Sequence, residues 1–340
     1  TGSYFTKPFA VEHLLDNALE PALATHLVKV KALNDSGKGQ SASNLLFSFR
    51  LADPAMGSAH FLVAAVDRIE AAFSAFLADN PLPEVVNELA SLRKSAAEQL
   101  SLPVVDVGLD DSVLLRRLIA KRCVYGLDIN EIAVELSRLA MWIHTFVPGL
   151  PLSFLNHGLV WGNSLTGVGS LDEIRAIFTE FGLLFGDPVE EFLQAASGTL
   201  TTMAGIVDKS VSDVAAAAAT DERLRTDLEP LAALCDLIVG ERTTAHLGTV
   251  TEEEVYYDKF GKQKVRKVRV PHPDRILLGP AVTSPDSLDA LREAILTHPD
   301  LPRAREIAAK LHAVHMPVAF PEVFMRENPP VEAPEKLLFR

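Results

Sequence analysis

The amino-acid sequence predicts an α/β fold, in which a parallel sheet alternates with helices and a long, mainly helical insertion interrupts that order. Two observations predict this class. Short apolar segments at 45–51 and 123–127 each lead into an acidic residue and then into a helical pattern, and a third at 159–161 precedes Gly-Asn-Ser. From about 170 to 239, by contrast, the pattern is helical throughout.

The first half of the chain carries most of the alternation. A helix is predicted from Phe9 to about Val30, and a loop from 34 to 43, where Ser, Gly, Asn and Lys predominate. The segment 45–51 is predicted to be a strand that runs into Asp53. The elements that follow are predicted to be helices at 61–77, 84–100 and 111–122, a strand at 123–128, a helix at 131–146 and a strand at 159–161.

The helix at 131–146 has a predicted cap and an apolar face. Asn130 is of a residue type that accepts hydrogen bonds from a first helical turn, so we expect it to be the N-cap. The apolar residues of the helix share one face because they recur at helical spacing. These residues are Ile132, Leu136, Leu139, Ala140 and Ile143. Trp142 and Trp161 are interpreted as core residues.

The remainder of the chain is predicted to contain a hairpin at 253–270 and further helix at 287–314. The hairpin carries a run of basic residues for which two interpretations stand. They contact phosphates, or they pair across the hairpin with Glu252–Glu254, and we prefer the pairing. The domain organisation predicted from these patterns is an α/β core at 1–168, the helical insertion at 169–314, and a segment returning toward the core at 315–340.

Composition limits the function classes. The net charge of −13 disfavours strong nucleic-acid binding by the chain as a whole, so any DNA contacts are expected in a small basic part, or in a region or partner outside the chain. Two cysteines and scattered histidines predict neither a disulfide framework nor a metal site. Because a secretory signal and a membrane-length apolar stretch are not found, we expect a cytoplasmic protein without a membrane partner.

The segment from Asp53 to Phe61, which reads DPAMGSAHF, has the chemistry of a ligand cradle. A strand, a turn containing Gly57 and a helix start present unpaired N–H groups and a favourable helix dipole to an anionic group. Small residues let a ligand approach the backbone. Asp53 can pair with a cationic group, so a ligand bearing both a carboxylate and an ammonium suits this turn.

Two further polar residues follow neighbouring strands. Asp128 ends the strand at 123–128, where an acid in nucleotide-binding α/β folds accepts hydrogen bonds from ribose hydroxyls. Asn163 follows the strand at 159–161, and its amide suits an adenine edge. Since carboxyl ends of parallel strands share one edge of a sheet, we expect Asp53, Asp128 and Asn163 to converge.

These segments resemble the N6-adenine-specific DNA methyltransferases. DPAMGSAHF resembles their first motif, YGLDINEIAVELSRLAMW (125–142) their second, and GNSL (162–165) their third. Tyr4–Pro8 resembles the segment that precedes their first strand. The insertion and FPEVF (320–324) are similar to large enzymes of restriction–modification and BREX-like phage-defence systems. The resemblance implies a partial Rossmann-like core that depends on S-adenosylmethionine. It also implies two kinds of partner, double-stranded DNA and other subunits of a defence system. The DNA would be held mainly by regions outside this chain.

The resemblance also assigns roles to residues. Phe5 and Thr6 would line the methionine end of S-adenosylmethionine, and Asp128 would hold its ribose. Ile129 would pack on the adenine ring, whose edge Asn163 would bond. The floor under the amino-acid part of the cofactor would be formed by Asp53, Ala55, Met56, Gly57 and Ser58.

The catalytic motif of the family, Asn/Asp-Pro-Pro-aromatic, has one partial match here. Asn328-Pro329-Pro330 is followed by Val331, which cannot stack on a flipped adenine as an aromatic ring does. The resemblance implies that the complete enzyme methylates adenine N6 in DNA. Two alternatives stay open: a catalytically incomplete fragment or scaffold that binds cofactor or a partner, and a methyltransferase of RNA or protein.

Overall fold

The computed structural model describes residues 7–104, 108–180, 188–257, 259–279 and 287–325. Contacts divide the chain into two units. The first unit comprises Thr1–Ser164, Ala196–Thr226 and Ala319–Arg340, and the second comprises Leu165–Ala195 and Asp227–Val318. Residues 196–226 therefore group with the first unit, whereas the sequence analysis places them in the insertion. None of the described helices is both long and apolar enough to cross a bilayer.

The part of the first unit up to residue 164 contains a parallel sheet. Its elements are α1 (Pro8–Leu14), a π-helical turn (Leu15–Leu19), α2 (Glu20–Asp35), α3 (Gly39–Leu46), β1 (Leu51–Asp53), α4 (His60–Asp79), α5 (Pro83–Leu100), α6 (Asp111–Arg122), β2 (Val124–Asp128), α7 (Glu131–His144) and β3 (Leu159–Trp161). Within the described residues the sheet has the order β1–β2–β3, and both pairs of neighbouring strands are parallel.

The following elements are mainly helical, as the sequence predicts. They are α8 (Leu171–Glu180), α9 (Pro188–Ala195), α10 (Ser197–Gly205), α11 (Val211–Asp227), α12 (Glu229–Thr244), a 3₁₀ turn (Ala245–Leu247), β4 (Thr249–Tyr257), β5 (Gln263–Pro271), α13 (Leu288–Leu296), α14 (Leu301–Lys310), α15 (Met316–Ala319) and α16 (Pro321–Phe324). Strands β4 and β5 form an antiparallel hairpin. The fold is thus mixed α/β, mostly helical, with a small parallel sheet.

Helix α4 packs against the sheet and holds the turn that precedes it. Leu62, Val66, Ile69 and Phe73 recur at steps of four and three residues, and each is fully buried. This spacing puts their side chains on one face of the helix. Because Leu62 lies only two residues into α4, the first turn of the helix is fixed against the sheet together with the residues before it.

The segment 34–51 differs from the prediction. Helix α3 covers residues 39–43, predicted to be loop, and residues 45–46, predicted to begin a strand, and the observed strand is Leu51–Asp53. Ala42, Leu45 and Leu46 lie on one buried face, and Ser43 donates a hydrogen bond to Glu84 Oε2 at 3.1 Å. The prediction was wrong because it weighed the polar composition of the segment, whereas packing of these few side chains determines the helix.

Helix α7 begins as the sequence predicts. The side chain of Asn130 accepts a hydrogen bond from the Ile132 backbone N–H at 3.1 Å, so Asn130 is the N-cap. The apolar side chains predicted to share a face do so, but that face is open within the described structure, with Ile132 70% and Ile143 69% exposed. The opposite face, with Val134, Ser137 and Met141, is buried.

Candidate functional site

The carboxyl ends of three strands meet at one edge of the sheet. In the register of the strands, Asp53 of β1 lies beside Gly126, and Asp128 of β2 lies beside Trp161 at the end of β3. The backbone N–H of Gly162 donates to the Asp128 carbonyl at 2.9 Å, which extends this pairing one residue beyond β3. The edge at which the sequence predicts convergence is therefore formed.

The turn after β1 is held by hydrogen bonds to both neighbouring acids. Asp53 Oδ1 accepts from the Ala55 N–H at 3.0 Å, and the Met56 N–H donates to the Leu127 carbonyl at 2.9 Å. Gly57 has φ +56°, a left-handed conformation that glycine adopts without strain. A Cβ atom built on Gly57 would meet no atom within 4 Å, so the space above the turn is open.

Asp128 fixes this turn and retains capacity to bind a ligand. Its Oδ2 accepts from the Gly57 N–H at 2.9 Å, and its Oδ1 accepts from the Asn130 N–H at 2.8 Å. An ionised carboxylate offers about four acceptor positions. These two backbone bonds leave the carboxylate with room for a pair of hydroxyl donors, which is the number that a ribose presents.

Asp53 and Asp128 together make the edge electrically negative. Partial burial raises the pKa of the Asp53 carboxyl and the charge of Asp128 raises it further, against the lowering effect of the Ala55 N–H. Two carboxylates at one edge favour a nearby positive charge. The edge therefore suits a ligand with a cationic centre.

Two features beneath the turn keep it in place. Gly126 lies under Met56, since a Cβ on Gly126 would be 2.2 Å from Met56 Sδ. Met56 is buried, so its side chain belongs to the core of the first unit and forms the underside of the turn. Ser137 of α7, fully buried, donates to the Gly57 carbonyl at 2.7 Å. Sequence reasoning missed Ser137, because 80 residues separate it from Gly57.

An apolar surface lies beside Asp128. Ile129 is 59% exposed, and the neighbouring Trp161 is 43% exposed and donates its indole N–H to the Ile129 carbonyl at 3.0 Å. The interpretation of Trp161 as a core residue was wrong, since β3 ends at the sheet edge and leaves its last side chain at the surface. Trp142 does pack against the core and donates to the Ser153 carbonyl.

The other predicted site residues are distributed as follows. Ala55 and Ser58 are exposed in the turn, and Asn163 is half-buried two residues after β3. The residues predicted to line the methionine end, Phe5 and Thr6, lie outside the described residues, as does the Asn328-Pro329-Pro330 segment. Among the described residues, no three His, Cys, Asp or Glu side chains are grouped to hold a metal ion.

A cavity of about 430 Å³ opens near the amino ends of the same strands, and several charged groups of its lining form ion pairs. Arg122 pairs with Glu88 at 2.7 Å, and Lys121 pairs with Asp208. His157 lies between Asp221 and Glu322, with 2.9 Å from each ring nitrogen to a carboxylate oxygen. These internal pairs make the cavity lining a structural cluster. The open carboxyl edge is the candidate site.

Comparison with known proteins gives one coarse match. The chain is 24% identical over 204 residues to a protein of Methanocaldococcus jannaschii whose provisional name is that of a type II restriction enzyme and methyltransferase. The match covers 51% of this chain and 15% of the relative, so the chain spans a small part of the relative's length. No family model and no solved structure matches. The similarity supports a methyltransferase of restriction–modification systems in general terms.

Proposed function

We propose that this chain binds S-adenosylmethionine at the carboxyl edge of β1, β2 and β3. In the complete enzyme, the cofactor would serve methylation of adenine N6 in DNA, as part of a restriction–modification or phage-defence system. The observation that carries the proposal is the joint arrangement of Asp53, Gly57 and Asp128. Support comes also from the motif resemblance of 53–61, 125–142 and 162–165, and from the restriction–modification relative. On this proposal the sheet is part of a Rossmann-like core.

The residues of the edge fit the chemical groups of the cofactor. The ribose hydroxyls would donate to the acceptor positions that Asp128 retains after its bonds to Gly57 and Asn130. The open space over Gly57 and the small neighbours Ala55 and Ser58 would accommodate the amino-acid part. The carboxylate pair suits the positive ammonium and sulfonium groups. Exposed Ile129 would pack on the adenine ring, and Asn163 would bond its edge.

The chemistry divides between the cofactor and the chain. S-Adenosylmethionine supplies a methyl group that is electrophilic because it is bound to a positively charged sulfur. The contribution of this chain is positional: Ser137 and Asp128 hold the Gly57 turn rigid, and the turn orients the ligand along the edge. Catalysis would use the Asn328-Pro329-Pro330 segment to accept hydrogen bonds from the adenine amine.

Calorimetric titration of the 340-residue chain with S-adenosylmethionine and S-adenosylhomocysteine tests the binding step. We expect Asp128→Asn to weaken both ligands by about 10- to 100-fold, because one charge-assisted hydrogen bond is worth about 1.5–3 kcal/mol. Asp79→Asn, an exposed carboxylate at the end of α4, is the matched control and should leave the affinity unchanged. Absence of binding to the folded chain, or an unchanged affinity in Asp128→Asn, would refute the assigned site.

Methyl transfer is tested separately with radiolabelled cofactor and, in parallel, duplex DNA, RNA and a protein mixture. Label in the adenine N6 position of DNA, lost in Asn328→Ala but retained in Asp79→Asn, supports the proposed activity. Cofactor binding without transfer to any substrate identifies a catalytically incomplete scaffold. Label confined to RNA or protein contradicts the DNA assignment while leaving the cofactor site intact.

A further inference from the structure

The hairpin β4–β5 projects its outer part into solvent. Every residue from Thr251 to Tyr257 and from Gln263 to Lys267 is exposed. Half-buried side chains occur only toward its base, at Val250, Val268 and Val270 among the described residues of the two strands. Strands of nine residues make a ribbon about 30 Å long. A two-stranded ribbon with both faces in water is marginally stable alone, so a partner that packs on its outer part would stabilise it.

An ion pair between the two strands lies in the middle of the hairpin. Glu254 lies opposite Arg266 in the register, and the two form an ion pair at 2.6 Å. The predicted pairing of the basic run with Glu252–Glu254 is thus confirmed at this position. Lys264 lies farther out, opposite Tyr256, and Lys259 and Lys262 lie beyond the last strand pair.

The charge of this region is opposite to that of the whole chain. Residues 255–264, which we call the hairpin tip, contain three basic residues and one acidic residue, whereas the chain has a net charge of −13. The tip also exposes large rings, with Tyr257 68% and Phe260 82% exposed. Lys259 Nζ lies 5.2 Å from the centre of the Phe260 ring, so cationic and apolar groups share one small surface.

We propose that the hairpin tip is a docking surface for duplex DNA. A two-stranded β-ribbon has the width that the major groove admits, and flanking lysines reach the phosphates on its walls. The positive charge of the tip is complementary to the negative phosphates of DNA, and phosphate contacts account for most non-specific affinity. Exposed aromatic rings and valines suit contact with the thymine methyl groups that this groove presents. The inference deepens the proposed function by naming the surface that engages DNA, and it rests on DNA being the substrate.

Fluorescence anisotropy of a labelled 30-base-pair mixed-sequence duplex with the full chain tests the proposal. The tip variant Lys259→Gln/Lys262→Gln/Lys264→Gln removes three positive charges. Each phosphate contact contributes about 0.9 to the slope of log affinity against log salt, so the variant should lower that slope by about 2.7. Between 50 and 200 mM salt, the wild type should therefore lose about 40-fold more affinity than the tip variant.

The matched control is Lys38→Gln/Lys94→Gln/Lys310→Gln, which removes the same charge from exposed lysines elsewhere. The control should retain the wild-type salt slope. An equal loss in both triple variants, an unchanged slope in the tip variant, or no duplex binding by wild type at 50 mM salt overturns the proposal. Preference for a polyglutamate peptide or single-stranded RNA of equal charge over the duplex overturns it also.

The two proposals fail independently. Calorimetry on the tip variant should show unchanged affinity for S-adenosylhomocysteine, because the tip and the cofactor edge share no residue. Conversely, Asp128→Asn should retain duplex binding in the anisotropy assay. Loss of cofactor binding by the wild type thus leaves the DNA test valid, and loss of duplex binding leaves the cofactor test valid.

Discussion

Gly57→Ala isolates the role of the turn after β1. Gly57 has φ +56°, and an added Cβ would meet no atom within 4 Å. The substitution therefore creates no clash in the folded chain. Its cost to stability is the left-handed conformation alone, about 1–2 kcal/mol for a residue with a Cβ. The same open surroundings place the new methyl group in the space that we assign to the cofactor.

Gly37 provides a matched control for the backbone cost. It has φ +78°, and an added Cβ there also meets no atom within 4 Å. Both Ala variants should lose about 1–2 kcal/mol of unfolding free energy. Only Gly57→Ala should also lose cofactor affinity, because its methyl group occupies the space that we assign to the ligand. Overpacking a filled site costs about 1–3 kcal/mol, so we expect a Kd weaker by about tenfold.

The assay combines urea unfolding, followed by circular dichroism, with calorimetric titration of S-adenosylhomocysteine. Equal losses of stability in the two variants, with weakened binding in Gly57→Ala alone, support the reasoning. Wild-type affinity in Gly57→Ala, at the expected loss of stability, would refute the placement of the ligand over this turn. Weakened binding in Gly37→Ala as well would show that the effect is a general loss of stability.

Three further predictions follow from the described contacts. Burial disfavours the charged form of His157, but the charge of Glu322 and the bonds to Asp221 and Glu322 raise the pKa of His157 to about 9. The stability that protonated His157 contributes is therefore complete below about pH 6.5 and is lost as pH rises through 9. Thermal unfolding should show this loss of stability, and His157→Gln should abolish the pH dependence. Asn130→Ala should cost about 1 kcal/mol in urea unfolding because α7 loses its cap, and Asn130→Asp should restore it. Burial raises the pKa of the Cys123 thiol to about 11, so a thiol reagent at pH 8 should label it only after unfolding.

The sequence predicts helices and strands well where a periodic apolar pattern extends over many residues. Helices at 84–100 and 111–122 and the hairpin are observed with bounds near those predicted. The failure at 34–51 has a physical cause: α3 is eight residues long, and such short helices depend on tertiary contacts more than on composition. The bond from Ser43 to Glu84, 41 residues away, is one such contact, and no local pattern contains it.

The candidate site shows the same division between local and distant information. Asp53 and Asp128 were predictable because strand ends and turn residues are local signals. The role of Asp128 as anchor of the Gly57 turn was not predictable, since it depends on the directions of two backbone N–H groups. Ser137 and Trp161 acquire their positions from the packing of α7 and from the end of β3, which periodicity does not specify.

Net charge is a poor guide to what one surface of this chain binds. The value of −13 is a sum over 340 residues, whereas screening at physiological ionic strength limits the field of an exposed charge to about 8 Å. A phosphate near Lys262 is therefore affected by the hairpin tip and little by carboxylates farther away. The acidic composition weakens the long-range attraction between the chain and DNA, so association should be slow. It does not determine the affinity of the hairpin tip for DNA once the two are in contact. Association rates in the anisotropy assay should consequently rise with salt while the equilibrium affinity falls.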